Sequence, residues 1–151
     1  MSETSSVASD ASEAGTLPPG RTPPLDPAEV AGLFQRGVAL FNGGRYWHAH
    51  EAWETIWRAV SEEERDFYQG LIQVAAGLLH LQRRNLRGAR NKLAEGVERL
   101  KPYQPAYHGV FVNELIGEAR RLLDDLEAGY LPYLIPPVIR STEVDTPDFS
   151  R

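Results

Sequence analysis

From Phe67 to Gln82 the chain carries no aspartate, glutamate, lysine or arginine. A surface helix has a charged face, and a helix without one is mostly buried. The run therefore predicts a central helix around which the rest of the chain packs. At about 100° per residue, Phe67, Leu71, Val74, Leu78 and Leu81 form its most apolar face. Gln69, Gln73 and His80 gather on nearly the opposite side, beside Ala76 and Gly77. That is a neutral, hydrogen-bonding stripe on a helix expected to be buried.

Four further helices flank this one, so the expected fold is all-α, a compact bundle of about five helices with no strand. The first opens on Asp26-Pro27-Ala28-Glu29, with an N-cap aspartate, proline at the first helical position and a glutamate spaced for a capping box. It ends at Asn42-Gly43-Gly44. The second runs from Tyr46 to Val60, and the third, central helix follows Ser61-Glu62-Glu63-Glu64, another capping-box spacing. The fourth runs from Asn85 to Lys101 and is closed by Pro102 and Pro105. The fifth spans Val112 to Ala128, with Val112, Leu115, Ile116, Ala119, Leu122, Leu123 and Leu126 on one stripe. From Tyr130 to Ile139 three prolines among apolar residues exclude a helix. This segment is expected to lie across the bundle as an extended strap. Residues 25–140 are read as one helical domain between disordered tails, 1–24 and 141–151.

A shift of 40 residues aligns the first two helices with the next two. Phe34 meets Val74, Gly37 meets Gly77, Val38 meets Leu78, Phe41 meets Leu81 and Trp53 meets Leu93. Small residues fall on small and large apolar residues on large, as in helix-hairpin repeats of the tetratricopeptide kind. In the same register His50 pairs with Arg90 and Glu54 with Ala94, so the second hairpin does without these polar residues.

The second helix carries them on an otherwise aromatic segment, Tyr46-Trp47-His48-Ala49-His50-Glu51-Ala52-Trp53-Glu54-Thr55-Ile56-Trp57. Its core stripe is Tyr46, Ala49, Trp53, Ile56 and Val60. His50 and Trp57 lie about 60° to 80° from the centre of that stripe, and Glu54 about 120°. His50 and Glu54 are four apart, so their side chains meet on one face. They can share a metal ion, hydrogen-bond each other or pass a proton. Trp57 would wall the site, whereas His48 points away and Glu51 lies toward solvent. The run His50-Glu51-Ala52-Trp53-Glu54 approaches the zinc-protease pattern, but Glu54 replaces the second histidine, which argues against that class. His80 is the candidate third metal ligand, with Gln69 and Gln73 as supporting donors. His108, in a Pro- and Gly-rich loop, is read as non-functional.

These residues carry a resemblance. From Phe41 to Leu100 the chain resembles the bacterial and archaeal family known as domain of unknown function 309. The family's motif of His, three residues, Glu, two residues and Trp falls on His50, Glu54 and Trp57. Phe67-Tyr68-Gln69-Gly70-Leu71-Ile72-Gln73 and Asn85-Leu86-Arg87-Gly88-Ala89 are similar to the family as well. The resemblance implies an all-helical fold and metal binding by the motif, and no defined reaction.

Composition narrows the partners. There are no cysteines, so disulfides and thiolate metal sites are excluded and the cytoplasm is the expected compartment. The net charge of -5 argues against a nucleic-acid partner. No apolar run is long enough to cross a membrane, and the first residues lack the basic and apolar regions of a secretory signal. Two readings stand. In one, a divalent ion (zinc, manganese or iron) is held by His50, Glu54 and His80, and any enzymatic activity would be metal-dependent hydrolysis. In the other, the chain is a protein-interaction module or homo-oligomer in which His50 and Glu54 are a structural hydrogen-bonded pair.

Overall fold

Asp26 starts the first helix, α1 (Pro27–Asn42), as its sequence predicts. Its carboxylate accepts from the Ala28 amide, and Glu29 reaches back to accept from the Asp26 amide at 3.0 Å. The structure, a computed structural model, describes residues 24–130 and 134–142. Most of the two expected tails, and 131–133 of the strap, lie outside the described residues. Four more helices follow: α2 (Tyr46–Ala59), α3 (Glu62–Gln82), α4 (Leu86–Leu100) and α5 (Val112–Ala128). Among the described residues there is no strand, only isolated bridges joining Tyr107 to Val110 and Val110 to Ser141.

The charge-free helix is the centre of the bundle. α3 packs against α2 on one side and most extensively against α4 on the other, while α5 closes over α4. Phe67, Leu71, Val74 and Leu78 are fully buried, whereas Leu81, at the helix end, is half-buried against a cavity.

The 40-residue register is visible in atoms. A methyl group on Gly37 would lie 2.1 Å from the Trp53 indole nitrogen, and one on Gly77 would lie 2.8 Å from Leu93 Cγ. In each hairpin a glycine of the first helix receives the large side chain of the second. The turns match too. Arg45 donates to the Leu40 carbonyl at 2.8 Å, and Asn85 to the His80 carbonyl at 2.9 Å. Gly44 and its counterpart Arg84 both take positive φ, 80° and 64°. Gln82 ties the turns together by donating to the Gly44 carbonyl. The bundle is thus two stacked hairpins plus a capping helix.

The described part of the strap is pinned, as well as packed. The Asn42 side chain exchanges two hydrogen bonds with the Ile139 backbone, at 2.8 and 2.9 Å, as a neighbouring strand would. Val138 donates to Glu118 of α5, which also pairs with Arg140. Ile139 and Ser141 are buried, and Thr142 donates to the Gly109 carbonyl, so the ordered body reaches at least Thr142.

Tyr46 and Tyr68 are buried, and burial raises both phenol pKa values above the usual 10.0; at Tyr68 the nearby Glu64 adds to the rise. In the unfolded chain these phenols lose their protons near 10 while the native ones keep them. The native state then holds more protons, so this contribution to stability is complete below about pH 10 and declines above it. Urea unfolding should show a falling midpoint between about pH 9 and about pH 11; a flat profile would contradict the burial of these rings.

Candidate functional site on the α2–α3 seam

The apolar stripe of α2 turns Tyr46, Ala49, Ala52, Trp53 and Ile56 into the core. This leaves Trp47, His50, Glu54 and Trp57 along one edge. Trp47 is 48% exposed and stacks on the His50 ring, with centroids 5.3 Å apart and planes 9° from parallel. His50 Nδ1 and Glu54 Oε1 are 4.0 Å apart, beyond hydrogen-bond range. The pair is therefore not joined by the hydrogen bond that a purely structural role requires. The Glu54 carboxylate also faces Arg58 at 3.5 Å.

Across the seam α3 supplies Arg65, whose guanidinium lies 4.1 Å from the centre of the Trp57 ring. Stacking on the indole holds the cation by its face and leaves its edge for hydrogen bonding. Arg65 Nη1 is a distant 3.8 Å from Glu62. Trp57, Arg65 and Gln69 line a cavity of about 360 Å³ with Glu62, Asp66 and Arg99.

Two buried side-chain polar atoms lack a hydrogen-bond partner among the described residues: His50 Nδ1 and Arg65 Nε. Arg65 Nε lies on the seam against Trp57, and His50 Nδ1 lies two helical turns along α2 from Trp57, outside the cavity lining. Buried polar atoms are nearly always paired, so each exception calls for a partner that the other described side chains do not supply, water or a bound molecule among them.

The other expected site residues are placed elsewhere. Gln73 is buried and faces α4, accepting from Arg99 Nε at 3.1 Å and donating to Glu95 at 3.4 Å. Arg99 in turn bonds Asp66 at 3.0 Å. His80 stands at the α3–α4 turn, 3.2 Å from the Asn85 side chain and packed on Gly88. It does not join His50 and Glu54: among the described residues no group of three His, Cys, Asp or Glu side chains could hold a metal ion. His50 and Glu54 thus offer two donors, and an ion there would complete its shell from water or a bound molecule. Arg65 escaped the sequence reading, although it continues the Gln69 and Gln73 spacing one turn toward the start of α3.

No helix among the described residues is long and apolar enough to cross a membrane. No curated protein matches the chain. Residues 34–91, from Phe34 of α1 into α4, match the model of a family described as a domain of unknown function, DUF309, and the matched segment bears His50, Glu54, Trp57 and Arg65.

Proposed function

We propose that the chain is a binding module and that its ligand docks along the α2–α3 seam. The observation that supports this is two buried nitrogens without a hydrogen-bond partner among the described residues, His50 Nδ1 on the α2 edge and Arg65 Nε on α3 against Trp57. Arg65 Nε can only donate, so the ligand must supply oxygen acceptors. Trp47 adds an exposed, rigid aromatic surface, the kind of side chain that anchors protein interfaces. A protein or peptide segment presenting carbonyl or carboxylate oxygens meets these demands. The cysteine-free composition makes the cytoplasm its natural place.

The test is capture of a partner with the full chain, followed by affinity measurements on that partner. Arg65→Met and Trp47→Ala should each weaken binding about tenfold or more, as loss of a charge-assisted bond or an aromatic anchor does. Unchanged affinity in folded variants would contradict the proposal.

The 4.0 Å spacing between His50 Nδ1 and Glu54 Oε1 favours one other occupant, a divalent ion bridging them. Such an ion would supply an acidified water, the chemistry of a hydrolase. About one ion per untagged chain, lost in a folded His50→Ala variant, would establish that reading. No uptake after soaking with zinc, manganese or iron would remove it.

A further inference from the structure

A second cavity, of about 600 Å³, lies between α1, the start of α3 and the loop before α5. Its walls are mostly apolar, with Leu25, Pro27, Val30, Ala31, Phe34 and Val60 joined by the polar side chain of Gln35. At one end stand Glu64, Tyr68 and His108. Mostly apolar walls with a few convergent polar groups are the usual make-up of a small-molecule site, and the size is in the usual range of about 300–1,000 Å³.

The polar end is held in place. His108 and Gly109 take φ of 50° and 79° between the mutually bonded Tyr107 and Val110. This is a two-residue turn of the I′ form, whose first central position normally belongs to Asn, Asp or Gly. Here it carries a histidine, whose Nε2 lies 2.9 Å from Glu64 Oε1. The ring is further fixed against Tyr107, at 4.2 Å between centroids, and against Phe67. A carboxylate in the first turn of a helix can serve merely to complement the helix dipole. Glu64 differs in being drawn sideways by a histidine 44 residues away, at the mouth of an apolar cavity.

Charge selects the ligand. Among the described residues Glu64 is the one formally charged side chain lining this cavity, and its ion pair is with His108, not with a lysine or arginine. Phe34 and Tyr68 meet edge to face, 6.0 Å apart, beside it. A carboxylate next to aromatic rings suits an ammonium group, which gains both an ion pair and ring-face attraction.

We infer that this cavity is a second binding site, for a small apolar amine whose body fills the space between Val30, Phe34 and Val60 and whose ammonium meets Glu64. His108 is its positioning residue, holding the carboxylate by one oxygen.

Titrating the full chain with phenethylamine, followed by backbone amide NMR, tests this. The expected result is saturable shifts at His108, Gly109 and the first turns of α1. Glu64→Gln, confirmed folded by circular dichroism, should weaken binding about tenfold or more through loss of the charge-assisted contact. Val30→Trp, which keeps Glu64 and fills the cavity, should abolish it and decides the matter if Glu64→Gln does not fold. Phenethyl alcohol, without the charge, should bind at least several-fold more weakly than the amine. No saturable shifts, shifts confined to the α2–α3 seam, equal binding of amine and alcohol, or a folded Glu64→Gln variant with unchanged affinity would each overturn the inference.

Discussion

Trp53→Ala is expected to destabilise the fold by about 3–5 kcal/mol. Trp53 is fully buried, its ring centroid lies 5.8 Å from that of Phe41, and its indole N–H points to the Phe34 carbonyl at 3.4 Å. Truncation removes the largest buried side chain and opens a cavity against α1. Domains of this size are stable by only about 5–15 kcal/mol, so the variant would be marginal. The same contact can be attacked from the other side. Gly37→Ala places a methyl group 2.1 Å from the indole nitrogen, and overpacking of this kind costs about 1–3 kcal/mol. Because both changes act on one contact, the double variant should lose less than the sum of the two, since the vacated indole space accepts the methyl group. Urea unfolding of the three variants measures this; strict additivity would mean that Gly37 and Trp53 do not touch as described.

The second large effect is expected at Gly96, where α4 crosses the central helix. A methyl group there would lie 3.0 Å from both the Gly70 carbonyl oxygen and the Val74 amide nitrogen, and 2.7 Å from Val74 Cγ2. Two of these three atoms are backbone, so no side chain can swing aside to make room. Gly96→Val must push the helices apart and should cost about 1–3 kcal/mol or more. Part of that is offset because valine has a better helix propensity than glycine, by a few tenths of a kcal/mol. A variant as stable as the parent in urea would contradict the close crossing. By contrast, Gly117 has open space around it, and Gly117→Ala should be neutral or slightly stabilising, which provides the control.

Much of this architecture is legible in the sequence because it rests on local or periodic signals. The capping box at Asp26 forms as written. The missing charges between Phe67 and Gln82 mark the buried helix, and the pairing of Gly37 with Gly77 and of Trp53 with Leu93 anticipates the repeated contact. What was not legible depends on which neighbour occupies a given direction. The helical wheel puts Gln69, Gln73 and His80 on one side of α3, but it cannot say that α4 lies there. Gln73 therefore meets Arg99 and Glu95, and His80, at the helix end, meets the turn. The partner that α3 offers to the motif is Arg65, a charged residue just before the charge-free run.

Ser61 shows the same limit. Its spacing to Glu64 fits a capping box, yet the serine side chain makes no capping bond. Glu64 is instead engaged by His108, and no local pattern links residues 44 apart in sequence. A tertiary contact has displaced a local one, and it created the polar end of the second cavity.

Under the proposed function the motif histidine is kept for a ligand and does nothing for the fold. Equilibrium urea unfolding of His50→Phe tests it most directly, since phenylalanine preserves the stack with Trp47 while removing the partnerless Nδ1. Replacing an unsatisfied buried polar group by an apolar one of similar shape is neutral or stabilising. The expected change is therefore within about 0.5 kcal/mol of the parent, or a gain. A loss of about 1.5 kcal/mol or more would mean that His50 holds the helices together, and would contradict the assignment of the seam as a ligand site.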